Sequence, residues 1–375
     1  MRADVFRFGL NDPGDVSGLR HAIDAGIIEA SSIVAVIGKT HGNGLVNDYT
    51  RGYLAQSLSL LVAEKTGKSL DEIRQRVPLI FSGGVEGVLS PHYVVITVAA
   101  DNLAARTGKA LAVGIGFTPE LRPEDIGRQN QIDLTAEAVC GAMEQADIDA
   151  ADVHFVQVKG PAFGLAEIIA SQRRGASPLT DNPGKLMGYG RAASALGVGK
   201  AVGEIAPERA TEVTLLRDFG VYSSVASCSA GVEVRANEVV VLGMSKSWSS
   251  SLIIAHAPLA DALDIRGVHA ALSNLGFHTD TQLSAQDASR FRAGFVKCEA
   301  SRDGLVRGRP HTMLNDGDID QQRHIRAAVG AVVASVLSDT AIFVSGGAEH
   351  QGPDGGGIIS LIAERVKTTP EKESR

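Results

Sequence analysis

Apolar residues in this chain form two kinds of pattern that alternate along it. Short runs rich in Val and Ile, such as 33–37 and 153–158, favour β-strands. Other stretches repeat an apolar residue every three or four positions, as at Leu54, Leu58 and Leu61, which places these side chains on one face of a helix. The patterns therefore predict an α/β protein in which strands and helices mix throughout.

The same order of elements recurs three times along the chain. Each pass predicts a helix, a strand ending in lysine, an arginine near a helix start, a strand ending in Ser-small-Gly-x-Glu, and a closing strand. Three residue types occupy equivalent places, namely the lysines Lys39, Lys159 and Lys297, the arginines Arg51, Arg191 and Arg326, and the serines Ser82, Ser229 and Ser345. Recurrence makes a functional role more probable than any single copy would.

The third arginine has a competitor, because Arg323 lies about one turn before Arg326. We favour Arg326, since it is followed by two alanines in the same way as Arg191. The repeats predict units at 1–104, 110–250 and 252–366, followed by a polar tail at 367–375. A pseudo-three-fold α/β body, with strands packed centrally and helices outside, is the expected arrangement.

Composition narrows the classes of function. The net charge is −7, and no basic block stands out, which argues against a nucleic-acid partner. The N-terminus lacks a signal-peptide pattern, and apolar runs such as 327–337 are too short to span a bilayer. Three scattered cysteines do not form a disulfide framework. We therefore expect a cytoplasmic protein without a membrane partner.

Lysines, arginines and serines that converge at strand ends would suit acyl chemistry. A neutral lysine deprotonates a serine, and burial beside arginine cations lowers the lysine pKa as this requires. The glycine-rich turn after each serine offers backbone N–H groups to an oxyanion, and arginine offers forked donors to planar carbonyls. The expected ligand is small, planar and carbonyl-rich. Glu86 and Glu233 also recur, and we expect them to orient turns or pair with arginines.

The glycine-rich loop at 349–357 offers many backbone carbonyls and little side-chain bulk. Glu299 lies two residues after Lys297, so both side chains share one strand face. Together they form a candidate site for a hard cation such as Mg²⁺ or Ca²⁺. A tight glycine turn without metal is the alternative.

Several long stretches resemble the cyanuric acid hydrolase and barbiturase family. They read Val-Ile-Gly-Lys-Thr-His-Gly-Asn-Gly at 36–44, Ser-Gly-Gly-Val-Glu-Gly-Val-Leu-Ser-Pro-His at 82–92, and Val-Ser-Gly-Gly-Ala-Glu-His-Gln-Gly-Pro at 344–353. The resemblance covers nearly the whole chain. It implies three similar units around a central β-barrel, a site on their shared axis, and a homotetramer. It also implies hydrolytic opening of cyanuric acid to carboxybiuret, which loses CO₂ to give biuret, a step of s-triazine degradation.

The resemblance also assigns roles to individual residues. By the family pattern, Ser229 is the nucleophile and Lys159 its activating base. The substrate contacts it implies are Arg51, Ser82, Gly83, Arg191, Ala230, Arg326, Ser345, Gly346, Lys39 and Lys297. The structural cation would lie at Glu299, Ala348, Gln351, Gly352, Pro353 and Gly356. Ala230 follows its serine where the other two copies have glycine, which shows asymmetry without showing which serine attacks.

Two other functions fit the same residues. A barbiturase would open barbituric acid to ureidomalonate with the same catalytic set, so these residues do not separate the two substrates. A binder without catalysis would clamp a planar cyclic imide between the serines and arginines. The lysines argue against a binder, because it gains nothing from three potential bases beside three cations. None of these functions needs a cofactor for the chemistry.

Overall fold

Three four-stranded sheets organise residues 1–101 and 108–366, the part of the chain that the computed structural model describes. The strands of the first sheet are β1 (Arg2–Gly9), β2 (Ile33–Thr40), β3 (Leu79–Gly83) and β4 (His92–Ala99). Its helices are α1 (Ser17–Asp24), α2 (Thr50–Thr66) and α3 (Leu70–Arg74). The strand order is β1-β4-β2-β3, and only β2 and β3 run parallel.

The second sheet repeats this order with its own strands. They are β5 (Ala110–Phe117), β6 (Val153–Pro161), β7 (Ala226–Gly231) and β8 (Glu238–Ser245). The order is β5-β8-β6-β7, and only β6 and β7 run parallel. The helices of this segment are α4 (Gln129–Ala146), α5 (Leu165–Arg173) and α6 (Pro183–Ala201), and α4 packs against α6.

The third sheet has the same arrangement and one additional hairpin. The strands of this segment are β9 (Leu252–Leu259), β10 (Phe291–Cys298), β11 (Leu305–Val306), β12 (Arg309–Pro310), β13 (Phe343–Ser345) and β14 (Gly357–Glu364). The sheet order is β13-β10-β14-β9, and β11 pairs with β12 outside it. The helices are α7 (Ile265–Asn274), α8 (Ala285–Ala288) and α9 (Gln321–Leu337).

The main core lies where the three sheets meet. Ile37, Phe155 and Phe295, one from each sheet, belong to a single buried cluster. Phe155 and Phe295 stack with their ring centroids 4.7 Å apart. Strands buried on both faces explain why the sequence shows continuous Val and Ile runs rather than a polar alternation.

The predicted α/β class is confirmed, but a closed central barrel is not found. Among the described strands, each sheet ladder ends without pairing to the next sheet. Lysine side chains connect the sheets where strand pairing stops. Lys159 Nζ donates to Phe81 O at 2.6 Å, and Lys297 Nζ donates to Cys228 O at 2.6 Å. Each of these bonds joins one sheet to the backbone of a neighbouring sheet.

One local prediction is wrong. Arg191 does not lie near a helix start, because α6 begins at Pro183, where the side chain of Asn182 accepts a hydrogen bond from Lys185 N at 3.0 Å. The polar segment 171–185 holds the end of α5 and the start of α6. Because α6 is rich in Gly and Ala and buried on most sides, it lacks the apolar stripe that indicates a helix.

The strand β1 was also missed, although it pairs along its whole length with β4. The predicted unit end at residue 104 and the predicted tail 367–375 lie outside the described residues. No helix in the described ranges is long and apolar enough to cross a membrane.

Candidate active site

Each of the three sheets sets a lysine opposite a serine at the same register position. Across the parallel strand pairs, Lys39 is the Cα partner of Ser82, Lys159 of Ser229, and Lys297 of Ser345. Side chains at paired positions lie on the same face of a sheet. The sequence recurrence of Lys and Ser therefore becomes three spatial pairs.

Two of these pairs are joined by a hydrogen bond. Lys39 Nζ donates to Ser82 Oγ at 3.1 Å, and Lys297 Nζ donates to Ser345 Oγ at 3.1 Å. The two serines also lie close together, with Ser82 Oγ donating to Ser345 Oγ at 3.4 Å. These hydroxyls are already engaged before any ligand arrives.

The Lys159 and Ser229 pair is different. Ser229 Oγ is buried and has no hydrogen-bond partner among the described residues. Lys159 Nζ instead lies 2.8 Å from Oε1 of Glu233 and donates to Phe81 O at 2.6 Å. Ser229 is therefore the serine whose hydroxyl is not committed to another group of the described chain.

All three lysines are fully buried, and burial is the main cause that lowers their pKa values. The pKa of Lys39 falls well below its ordinary value, with the Arg326 cation adding to the effect of burial. Burial and the Arg191 cation lower the pKa of Lys297 to about 7. Burial lowers the pKa of Lys159 to about 8, and the Glu233 carboxylate opposes a larger fall.

Lys159 is thus the least shifted of the three, although the family pattern makes it the base. The difference comes from the Glu233 carboxylate, which stabilises the ammonium form. The hydrogen bonds nevertheless distinguish the second pair, because Ser82 and Ser345 accept from their lysines. A serine oxygen that accepts a lysine N–H keeps its own O–H for a ligand carbonyl, which suits binding more than attack.

Arginines and glutamates link the three segments of the chain in pairs. Arg326 donates to both carboxylate oxygens of Glu86, at 2.7 and 2.6 Å, and Arg191 donates to both oxygens of Glu349, at 2.9 and 2.5 Å. Each pair joins residues more than 150 positions apart in sequence. These bidentate contacts hold the arginines in place and confirm the expected arginine pairing of Glu86.

Arg51 breaks this pattern. Its Nη1 donates to Ala230 O at 3.2 Å and its Nη2 to Leu45 O at 2.9 Å. Its Nε lies 3.5 Å from Glu233, without a hydrogen bond. Glu233 therefore pairs with Arg51 as expected, but only as an ion pair without the hydrogen-bonded fork that Glu86 has, and its nearest cation is Lys159.

The predicted serines, arginines and serine-turn residues come together around one small cavity between the sheets, whereas the three lysines are not among its lining residues. The cavity is lined by Gly44, Arg51, Ser82, Gly83, Met187, Arg191, Ser229, Ala230, Gln322, Arg326, Ser345 and Gly346. Arg326 reaches it with a side chain that is 3% exposed, whereas that of Arg323 is 52% exposed. Sequence reasoning missed Gly44, Met187 and Gln322, which have no recurring counterpart that would have revealed them.

Glycine at two serine turns is required by close neighbours. A Cβ on Gly346 would lie 2.9 Å from Cβ of Gln322, and a Cβ on Gly83 would collide with the carboxylate of Asp48. At the second turn the Ala230 methyl fits and is buried, with Ala162 and Met187 in the same cluster. The odd alanine thus reflects a different local packing in the second segment.

The predicted cation residues lie in one turn that is rich in backbone oxygen. Glu299 N donates to Gly356 O at 3.1 Å, Gly356 N to Pro353 O at 3.0 Å, and Gln351 N to Ala348 O at 2.9 Å. Each carbonyl keeps a second lone pair for a cation. Gly352 completes the predicted set through its φ of 94°, which suits a tight turn.

The Glu299 carboxylate tests whether a cation fits there. Burial and the neighbouring Glu349 raise the pKa of Glu299 to about 8, although Arg302 contacts its Oε1. An oxygen-only donor set with an incompletely compensated carboxylate fits Mg²⁺ or Ca²⁺ better than a softer metal. No group of three or more His, Cys, Asp or Glu side chains able to hold a metal occurs in ranges 1–101 and 108–366.

A family comparison agrees with this geometry. The model of the family described as amidohydrolase ring-opening protein matches residues 4–364. The chain belongs to this family. A cyanuric acid amidohydrolase of Enterobacter cloacae is 45% identical over 367 residues, covering 97% of this chain and 99% of that protein. A cyclic amide hydrolase of Azorhizobium caulinodans is 44% identical over 363 residues, covering 96% of this chain and 99% of its own length.

Solved structures show the same similarity. A cyanuric acid hydrolase structure superposes with a TM-score of 0.92 at 44% identity, covering 97% of this chain and 99% of that one. The cyanuric acid hydrolase of A. caulinodans gives a TM-score of 0.89 with the same identity and coverage. This member of the ring-opening amidohydrolases is an enzyme that hydrolyses cyclic amides.

Proposed function

We propose that this enzyme opens the ring of cyanuric acid by hydrolysis, with Ser229 as nucleophile and Lys159 as its base. The product would be carboxybiuret, which then loses CO₂ to give biuret. One observation supports the choice of serine more than any other: Ser229 Oγ is buried in the site, opposite Lys159, and has no hydrogen-bond partner in the part of the chain that the structure describes. The names of the cyanuric acid amidohydrolases that match the chain support the choice of substrate.

The surroundings of Lys159 suit a general base. Phe81 O and Glu233 Oε1 lie 2.6 and 2.8 Å from Nζ, so they occupy the two N–H groups that a neutral amine retains. The amine lone pair is then left for the hydroxyl proton of Ser229. In the first step this proton moves to Lys159, Ser229 Oγ bonds to the ring carbonyl carbon, and the C–N bond breaks as the nitrogen takes the proton.

The other two serines would hold the remaining carbonyls of the ring. Ser82 and Ser345 accept from their lysines, and Ser345 can direct its hydroxyl proton to a substrate oxygen, as Ser82 can once its contact to Ser345 is exchanged for the substrate. Arg191 and Arg326, fixed by their glutamates, add cationic donors at the cavity wall. Such fixed donors polarise a carbonyl and stabilise negative charge that develops on its oxygen.

A second step would release the product. Water attacks the acyl group on Ser229, Lys159 accepts a water proton, and Ser229 Oγ regains it as the ester bond breaks. The carboxyl group that forms ionises at neutral pH and gives up one proton per turnover. The two steps together consume one water molecule and involve no oxidation or reduction, so atoms and electrons balance.

The proposal includes the arrangement of the whole molecule. We place the site on a pseudo-three-fold axis relating units 1–104, 110–250 and 252–366, since all three sheets share one strand order. The family resemblance further predicts a homotetramer in the cytoplasm. Light scattering of the purified enzyme tests the tetramer directly, and a monomeric mass would refute it.

A structural Mg²⁺ or Ca²⁺ belongs to the proposal as well. Glu299 with the backbone of Ala348 and Gly356 would hold it, and its charge would stabilise the turn that carries Glu349, the partner of Arg191. The melting temperature should fall when a chelator is added and recover with either cation. A melting curve that does not respond to the chelator or to added cation would exclude this site.

A substrate panel is the experiment that tests the function. Cyanuric acid, barbituric acid and N-alkylated cyanuric acids are each followed by loss of ring absorbance, with product and CO₂ measured in parallel. We expect kcat/KM to be highest for cyanuric acid, with biuret and CO₂ formed in equal amounts. Higher kcat/KM for barbituric acid would make the enzyme a barbiturase, and binding without turnover would make it a binder of cyclic imides.

A further inference from the structure

A second, larger cavity reaches the two glutamates that flank Lys159. It has a volume of about 480 Å³, against about 20 Å³ for the cavity around the serines. Glu233 and Glu238 both line it, and Leu79 and Phe117 form part of its wall. Among the described lining residues none is a site serine, so this cavity approaches the lysine by a separate route.

Glu238 lies opposite Lys159 on the neighbouring strand. The two are Cα partners in the antiparallel pair of β6 and β8, which puts their side chains on the same face. Leu79 N donates to Glu238 Oε2 at 3.1 Å. Burial raises the pKa of Glu238 to about 7, although this hydrogen bond and Lys159 oppose the rise. The carboxyl is therefore suited to exchange a proton near neutral pH.

Glu233 lies between this cavity and the lysine. Its Oε1 is 2.8 Å from Lys159 Nζ, and its side chain is 7% exposed. Apart from this contact, neither carboxylate oxygen has a hydrogen-bond partner among the described residues. Burial alone would raise its pKa, but the cations of Lys159 and Arg51 outweigh burial and lower it. Its free lone pairs are open to a proton or to water, unlike those of Glu86, which Arg326 occupies.

Other charged side chains also line the larger cavity, and they leave Glu233 and Glu238 accessible to water. Asp71, Arg74 and Glu120 line the same cavity, and Arg235 there is paired with Glu167. The charged side chains of this lining and the volume of about 480 Å³ leave room for several water molecules between the carboxylates and solvent. Water therefore can connect Glu238 with the outside.

The proposed reaction creates a need for such a connection. At neutral pH Lys159, with a pKa of about 8, is mostly an ammonium and must lose a proton before it can act as a base. The new carboxyl group forms beside Lys159 and passes its proton to this amine in each turnover, so the resulting ammonium must lose a proton before the next attack. A substrate in the small cavity around the serines covers the other side of the site, so that side offers no path while the ring is bound.

We propose that Glu233 and Glu238 form a proton exit that leads from Lys159 to water in the larger cavity. This rests on the proposed role of Lys159. An N–H bond of the ammonium breaks as an O–H bond forms on Glu233, and the proton then passes by water to Glu238 and to solvent. Neither glutamate touches the ring, so both act through Lys159. Glu233 and Glu238 restore the free base for each attack on the substrate.

The test is Glu238→Ala, assayed at pH 7 with and without added formate. We expect kcat to fall on the order of 10-fold with KM unchanged, because a proton-transfer group is lost while substrate contacts remain. Formate should restore kcat in a saturable manner, since the emptied carboxylate site opens on a cavity of about 480 Å³. Glu120→Gln, at the rim of the same cavity, is the control and should keep wild-type kcat without a formate response.

Each outcome of these assays either supports or overturns the proton exit. A folded Glu238→Ala with wild-type kcat, or with a loss that formate does not restore, overturns the proton exit. If Glu238→Ala does not fold, Glu238→Gln is used instead, since it keeps the shape of the side chain and cannot titrate. Wild-type kcat in Glu238→Gln overturns the proton exit. Reduced kcat with unchanged KM, together with kcat restored in Glu238→Asp, supports it. Ser229→Ala distinguishes failure of the proposed nucleophile from failure of the proton exit. Retained turnover in Ser229→Ala refutes Ser229 as the nucleophile. Lost turnover in Ser229→Ala, together with wild-type kcat in the Glu238 variants, refutes only the proton exit.

Discussion

Nζ of Lys159 lies 2.8 Å from Oε1 of Glu233, and both groups are shielded from solvent. The recurring counterparts of this glutamate, Glu86 and Glu349, are bound by arginine forks instead. The negative charge of Glu233 therefore acts on the lysine, and its carboxylate limits how far burial lowers the pKa of Lys159. One altered ion pair thus distinguishes the second lysine from the other two.

The activity of the wild-type enzyme should rise with pH. Lys159 acts as a base only when neutral, and its pKa of about 8 lies far below the ordinary 10.5. Below pH 8 the ammonium form dominates, so kcat should fall about tenfold for each pH unit, and above pH 8 it should level off. A kcat profile from pH 5.5 to 10 at saturating substrate checks this. A profile that falls between pH 6 and 8 would contradict a lysine base.

Glu233→Gln should move this profile toward acid. The carboxylate raises the pKa of Lys159, so its removal lets burial and Arg51 lower that pKa further. The rising limb should shift to lower pH, while the maximal kcat falls because proton exit is slowed. The measurement is the same pH profile for variant and wild type. An unchanged limb would show that Glu233 does not set the charge state of the base.

Ser229→Ala should remove turnover and leave binding largely intact. We expect kcat to fall by at least about 10³-fold, as for other serine nucleophiles, with the dissociation constant of cyanuric acid changed little. Ser345→Ala is the informative comparison, because Ser345 accepts from Lys297 and would only polarise a carbonyl. It should raise KM and lower kcat less. A dead Ser345→Ala beside an active Ser229→Ala would reverse the assignment.

The chemistry of the site was more predictable than its geometry. Recurrence brought out Lys39, Lys159 and Lys297 with their serines, because identical local sequences fold into identical strand ends. Strand register, which pairs Lys159 with Ser229, depends on contacts between strands that are more than 60 residues apart and leaves no local signal. The packing of β1 along β4 is equally remote, so the first strand was missed.

The same limit explains the residues that sequence reasoning did not find or assigned differently. Gln322 and Met187 enter the cavity from helices that other segments place there, and neither belongs to a repeat. Glu233 was expected to resemble Glu86, because their motifs match in sequence. Its different partner arises from the way Arg51 donates to Ala230 O, which is a tertiary contact between distant segments.

Arg326→Lys should weaken both substrate binding and stability. A lysine cannot reproduce the two parallel hydrogen bonds to Glu86, so a buried carboxylate is left partly unpaired, at a cost of about 1–3 kcal/mol in unfolding free energy. KM should rise about tenfold or more. Arg323→Lys is the matched control: its Nε lies 3.6 Å from Glu86 and its side chain is 52% exposed, so it should change stability by less than about 0.5 kcal/mol. Equal effects in both variants would contradict the role given to Arg326.

Two glycines on facing helices should respond in opposite directions to alanine. A Cβ on Gly197 in α6 would lie 2.5 Å from Ile132 O and 2.8 Å from Cβ of Thr135, so the helices must separate. A Cβ on Gly141 in α4 would meet nothing within 4 Å, and the residue is exposed. We expect Gly197→Ala to destabilise the fold by about 1–3 kcal/mol and Gly141→Ala to stabilise it by about 0.5–1 kcal/mol.

Because α6 also carries Arg191, the effect of Gly197→Ala should extend to the site. A displaced helix pulls the guanidinium away from Glu349, so KM should rise together with the loss of stability. Urea unfolding and steady-state kinetics on both variants measure the two effects. A destabilised Gly197→Ala with wild-type KM would show that the Arg191–Glu349 contact holds its position independently of the packing between α4 and α6.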